Sequence, residues 1–221
     1  MTYTLHTWPD SAALIVRLVL EELGIPYTAV TIDRPGGALD SPAYRALQPL
    51  GKIPALETPD GPMFETGAIL LYLSETHGAL APAPGAPDRA AFLKWFIFVT
   101  NEVHPTVMQI FYPDRVAGPE AAPAVTLTAT ARLRDDLTLL DRMVARDRPA
   151  WLSPDAPSIL GYYVATLLRW IGTLEPGHPA RWSAGDFPAL CAVLAALEQR
   201  PAARAAAKAD HLGPTIFTNP T

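Results

Sequence analysis

The stretch from Gln48 to Leu73, QPLGKIPALETPDGPMFETGAILLYL, restricts the folding of this chain more than any other. An extended segment enters through Ile53-Pro54, the residues Pro59-Asp60-Gly61-Pro62 reverse it, and Glu65-Thr66 open an apolar helix. A hairpin that feeds straight into a helix leaves an unpaired strand edge, a helix N-terminus and one carboxylate around a single small groove. Such a groove suits a short, extended, charged peptide, and a small-peptide thiol cofactor is the first ligand to consider.

Upstream, Tyr3 to Thr7 alternates polar and apolar residues and reads as a strand. Ser11 to Leu23 is a nearly continuous apolar run with Arg17 and Glu21-Glu22 on its outer face, Asp10 or Ser11 as its cap and Gly24 just past its end. Tyr27 to Ile32 is a second strand, and so short a connection implies a right-handed crossover between parallel strands. A short helical turn runs from Ser41-Pro42 to Leu47, followed by strands at Pro54 to Glu57 and Met63 to Glu65. A helix from Thr66 to His77, stopped by Gly78, then completes a βαβαββα unit over residues 1–80.

Ala81 to Pro87, APAPGAP, is a proline-rich linker. Residues 88–221 beyond it show helical patterns only. Asp88 caps a long helix to about Phe111, kinked where Pro105 removes an amide donor. Helices follow at Ala124 to Arg146, Ser158 to Ile171, Phe187 to Gln199 and after Pro201; the second of these is almost wholly apolar and is expected at the centre of the core.

At 221 residues and 49% hydrophobic, the chain can bury a real core. A net charge of −5 with no basic block argues against nucleic acid as a partner. The N-terminus lacks the pattern of a signal peptide, and no apolar run reaches the roughly 18 residues of a membrane span. A cytoplasmic protein is expected. Cys191 is the only cysteine, which rules out an intramolecular disulfide or a dithiol pair; His6, His77, His178 and His211 are scattered, and no metal is expected.

LGKIPAL at Leu50 to Leu56 and DGPMFETGAILLYL at Asp60 to Leu73, in that order before an all-helical region, resemble the cytosolic glutathione S-transferase family of bacterial type. LVLEELGIPY at Leu18 to Tyr27, LLRW at Leu167 to Trp170 and EQRPAARA at Glu198 to Ala205 extend the resemblance over nearly the whole chain. It implies a thioredoxin-like N-terminal domain at 1–80 and an all-α domain at 88–221 that carries the electrophile pocket. It also implies glutathione as co-substrate, a small apolar electrophile as partner, and a homodimer.

By the same resemblance Pro54 is cis and Ile53 offers its amide and carbonyl to the cysteinyl backbone of glutathione. Glu65 meets the α-ammonium group, and Thr66, where the family normally has Ser, binds the γ-glutamyl carboxylate. Lys52 either meets the glycyl carboxylate or points into solvent. Bacterial relatives that use Cys to activate the thiol would place it at Ala12, which cannot do so. Ser11 matches the serine of the serine-type enzymes and is the expected thiol-activating residue; helix capping is its other reading, and Thr7 is a weaker hydroxyl. His104 resembles a position that helps shape the thiol site, although histidines there are also commonly interface residues. Trp8, Phe111, Tyr112 and residues near Trp95 and Tyr162 are candidates for an apolar wall.

The leading function is therefore a glutathione transferase, with a glutathione-dependent lyase, dehalogenase or isomerase, or a non-catalytic glutathione-binding protein, as alternatives. The usual Ser/Thr-x-x-Asp capping box is missing at Ser158-Ile159-Leu160-Gly161. Ser158 is left to cap alone, and Gly161 is expected to permit a close helix approach.

Overall fold

The computed structural model describes residues 2–221. Strands β1 (Tyr3–Thr7) and β2 (Tyr27–Thr31) pair in parallel, Tyr3 opposite Tyr27, across the connecting helix α1 (Ala13–Leu23). Helix α2 (Pro42–Leu47) follows, with the Ser41 hydroxyl accepting from the Tyr44 amide as its cap. Strand β3 (Ala55–Thr58) then runs antiparallel beside β1, and β4 (Gly61–Met63) completes a sheet of order β2-β1-β3-β4 before helix α3 (Thr66–His77). This is the expected thioredoxin-like arrangement, followed by a region of helices only.

The hairpin turns earlier than the sequence suggests. Thr58 pairs with Gly61, its hydroxyl donating to the Gly61 carbonyl at 2.8 Å and accepting from the Asp60 amide at 3.1 Å, so the loop shrinks to Pro59-Asp60. Pro62 consequently lies inside β4, where an edge strand tolerates its missing donor. Phe64 and Glu65, expected in the strand, are free of the sheet and lead into α3.

Helix α1 also departs from expectation. Its N-cap position is Ala12, which makes no side-chain bond, because Asp10 is occupied elsewhere. The presumed outer face is covered rather than solvated. Arg17 is buried against Asp210, with Nε 3.2 Å from Oδ1, and Glu22 accepts from Tyr162 at 2.5 Å and from two nitrogens of Arg200. Every residue from Ala13 to Leu20 is buried, as befits a helix sandwiched between a sheet and other helices.

The helical region begins with α4 (Arg89–Phe98), passes through a π turn at Val99–Val103 and continues as α5 (His104–Phe111). Pro105 explains the irregularity: its ring opposes the carbonyl four residues earlier and it donates nothing, and a single wide turn relieves both problems. A short α6 (Asp114–Ala117), not anticipated, precedes α7 (Ala122–Asp147), α8 (Ile159–Gly172), α9 (Pro188–Glu198) and α10 (Pro201–Ala209).

Helix α8 is buried along its whole length, as expected of the central helix. Ser158 caps it alone: its hydroxyl accepts from the Gly161 amide at 2.9 Å and donates to the Trp151 carbonyl at 2.6 Å. A Cβ on Gly161 would lie 3.3 Å from Leu197 Cδ1, so α9 does approach closely there. Helix α9, with no cap of its own, receives one from α7, where Asp141 Oδ1 accepts from the Leu190 amide at 2.9 Å. One apolar cluster runs without a break from Leu5 and Leu18 through Tyr163 and Leu167 to Phe217. Among the described residues, no helix is long and apolar enough to cross a membrane.

Candidate functional site

The register that pairs Leu56 with Met63, continued outward, brings Ile53 level with the start of α3. The Ile53–Pro54 peptide bond is cis, as expected. Neither the amide nor the carbonyl of Ile53 has a backbone partner among the described residues, while the Lys52 carbonyl is taken by the Tyr44 hydroxyl at 2.6 Å. Across from it, Glu65 sits at φ 69°, ψ 112°, a conformation that side chains rarely adopt. Its carboxylate is exposed and makes no hydrogen bond or ion pair among the described residues. Strain of this kind persists where the surroundings impose it and collects at functional sites.

Thr66, the first residue of α3, is buried, and the helix end behind it turns its free amides and positive dipole toward the groove. Gly67 lets this end seat against the π turn, since a Cβ there would stand 2.9 Å from Thr100 Cγ2. The structure therefore brings Ile53, Glu65 and Thr66 together at one edge. Lys52 is exposed beside them.

The β1–α1 turn carries Ser11. Its hydroxyl donates to the Trp8 carbonyl at 2.6 Å and accepts from the Ala13 amide at 3.3 Å, so the side chain performs part of the capping role. Ala12 follows with no polar side chain. The Thr7 hydroxyl is buried with no partner among the described residues. The Tyr3 hydroxyl bonds to His77 Nε2 at 3.0 Å, at the opposite end of the sheet from the turn.

His104 opens α5 directly after the π turn. Its Nδ1 lies 2.7 Å from the Tyr163 hydroxyl and its ring packs 5.7 Å from that of Trp170. Removal from water, and secondly the ammonium of Lys52, push its pKa down to about 4. Burial, and secondly the Glu65 carboxylate, push the Tyr163 phenol up. The Lys52 charge thus reaches His104 and the Glu65 charge reaches Tyr163, the two residues joined by the 2.7 Å hydrogen bond.

A pH dependence follows from His104. The unfolded chain takes up this proton below about 6.5, the folded chain only below about 4. Stability therefore rises with pH across that window and is complete above it. We expect about 2 kcal/mol of stability to disappear between pH 7 and pH 5 through this residue. Denaturant melts at both pH values would show that loss shrinking in His104→Gln, and identical slopes in the two proteins would refute it.

Two site features escape sequence reasoning. Near Tyr162, where an apolar wall is expected, Tyr162 itself is fully buried on the α1 side and bound to Glu22, while its neighbour Tyr163 bonds to His104. Periodicity places adjacent helical residues on different faces but does not say which face meets the cleft. Asp10, expected as a cap, instead accepts from Arg169 Nε and Nη2 at 2.9 and 3.0 Å and from the Trp170 indole at 3.1 Å.

Residues 1–75 match the family model for the glutathione S-transferase N-terminal domain. A solved glutathione S-transferase from a sphingomonad, complexed with glutathione, is 31% identical, covers 95% of this chain and all of its own, and superposes with a TM-score of 0.75. The chain belongs to the glutathione S-transferase family. Glutathione S-transferase GST-4.5 of Xanthomonas campestris is 28% identical over 178 residues, covering 75% of this chain and 81% of its own. The family likeness also reaches proteins of another kind. Probable elongation factor 1-gamma 1 of Arabidopsis thaliana is 31% identical over 130 residues, 56% of this chain, yet only 30% of that protein is matched. This chain spans about a third of the length of the elongation factor relatives it matches.

Proposed function

We propose that this chain is a glutathione transferase that ionises bound glutathione and conjugates it to an apolar electrophile. One observation carries the reading: the strained, unpaired Glu65 and the amide end of α3 stand opposite the unpaired backbone of Ile53. Glu65 accepts the α-ammonium of glutathione, and Thr66 with the helix dipole binds the γ-glutamyl carboxylate. Ile53 pairs with the cysteinyl backbone as an added strand would, and Lys52 meets the glycyl carboxylate. The glutathione in the sphingomonad relative supports the same ligand here.

In this reading the thiol lies at the N-terminus of α1. The free Ala12 amide and the helix dipole favour a thiolate, and Ser11 turns its single proton from the Trp8 carbonyl to the sulfur. The 2.7 Å hydrogen bond between His104 Nδ1 and the Tyr163 hydroxyl holds the imidazole in place beside the thiol site in this reading. The thiolate pair then forms the carbon–sulfur bond, and the electrophile's leaving group or conjugated acceptor takes the displaced electrons. Leu50 and Phe64, exposed apolar residues flanking the hairpin, support a homodimer. A cytoplasmic setting suits a reaction that needs reduced glutathione.

Ser11 also favours a second reading, a protein that holds glutathione without turnover, because its only proton is already given to Trp8 at 2.6 Å. Ultraviolet thiolate absorbance of bound glutathione, titrated against pH, separates the two. For the transferase we expect the thiol pKa to fall by about two units from its reference near 8.5, and Ser11→Ala to return about one of them. Glutathione that binds with an unshifted thiol would establish the second reading.

A further inference from the structure

The turn that carries Ser11 is held from the helical region. Arg169, 1% exposed within the otherwise apolar α8, grips both oxygens of Asp10, and the Trp170 indole adds a third donor. The third guanidinium nitrogen, Nη1, donates to the Ile216 carbonyl at 3.0 Å, which fixes the arginine in turn. From the other side, Asp210 at the end of α10 accepts from the Asp10 amide at 3.1 Å and is itself paired with Arg17. Asp10 is thereby kept at φ 50°, a left-handed conformation that glycine or asparagine would take more readily.

Such a network is a poor means of gaining stability, since a buried ion pair commonly does no better than apolar packing of the same volume. What it does specify is geometry. A planar fork closed on both carboxylate oxygens fixes direction as well as distance, and a lysine in the same place would not. The residue so fixed is the one immediately before Ser11.

We propose that Arg169 is a positioning residue for thiol activation, acting through Asp10 to aim Ser11 and the first amides of α1 at the sulfur of bound glutathione. This rests on the transferase reading above. Arg169 touches neither glutathione nor its thiol. Its charge is matched by Asp10, so its effect is conformational.

The test uses the full chain with Arg169→Met, Arg169→Lys, Asp10→Ala and Asp10→Asn. Two quantities are read: affinity for S-methylglutathione, which has no thiol to ionise, and the thiol pKa of bound glutathione by thiolate absorbance. Arg169→Met and Asp10→Ala are expected to raise that pKa by about one unit, a tenfold smaller thiolate population below it, while S-methylglutathione affinity changes by less than about threefold. Asp10→Asn should raise the thiol pKa less than Asp10→Ala, because asparagine accepts the left-handed backbone and keeps one oxygen for the guanidinium, although its NH2 cannot accept from the other arm of the fork.

A role confined to folding would lower the melting temperature and leave the thiol pKa alone, which overturns the proposal. Equal loss in Asp10→Asn and Asp10→Ala overturns it too, because the left-handed backbone that asparagine keeps would then contribute nothing to aiming Ser11. Should Arg169→Met not fold, Arg169→Lys keeps the charge without the fork and is expected to show an intermediate rise in pKa; a wild-type value there refutes the idea. Wild-type protein that binds glutathione without lowering its thiol pKa would end both this proposal and the transferase reading. A lowered pKa unchanged in every variant would end this proposal alone.

Discussion

Glu65→Ala is expected to weaken glutathione binding about a hundredfold, the size of effect seen when one partner of a desolvated charge pair is truncated. The carboxylate has no other partner among the described residues, so no internal contact is lost with it. Glu65→Gly adds a sharper prediction. At φ 69° a glycine relieves backbone strain, so the protein should melt higher by about 1 kcal/mol while binding is lost all the same. Calorimetric titration with glutathione beside a thermal melt reads both quantities. A Glu65→Ala protein that binds glutathione like wild type would remove the proposed site, whatever its stability.

Ser158→Ala is expected to cost about 3 kcal/mol of stability, from a lost helix cap together with a stranded buried carbonyl. The hydroxyl both accepts from Gly161 and donates to Trp151, and the residue is 2% exposed, so water cannot replace either bond. Denaturant unfolding measures this directly; a loss below about 1 kcal/mol would mean that α8 is held by packing alone. Gly161→Ala provides the contrast. Alanine favours the helix by about 1 kcal/mol, but its methyl would press on Leu197 at 3.3 Å, so no gain in stability is expected.

The parts legible in the sequence are those whose signals are local. The run from Ile53 to Thr66 declares a strand, a turn and a helix start within a few residues, although the turn comes earlier than read, and these elements frame the proposed site. The apolar continuity of α8 declares its central place in the same way. Arg17, Glu22 and Asp10 were misread for the opposite reason. Each looks like a solvated or capping residue beside its sequence neighbours, while its partner comes from α8, α10 or the loop before α10, far along the chain. Local chemistry proposes a role for a charge, and a distant partner can overrule it. The sequence points to the neighbourhood of Tyr162 but, without a facing element, does not set Tyr163 apart from it. Pro105 signalled a distortion but not its form, because a kink and a π turn relieve the same missing donor.

Helix α1 is buried from Ala13 to Leu20, its far side covered by α8 and α10. The Leu80 carbonyl accepts from the Ile159 amide at 2.9 Å, so even the first helical bond donor of α8 is satisfied from across the linker. The stretch that the family model recognises, residues 1–75, is therefore a unit of ancestry without being a unit of folding. From Ala13 to Leu20 its helix is apolar on every side but for Arg17, which is paired with Asp210. The helical half must therefore match α1 in shape along this surface. Recombination that joins the front of one family member to the back of another would succeed or fail on that hidden seam.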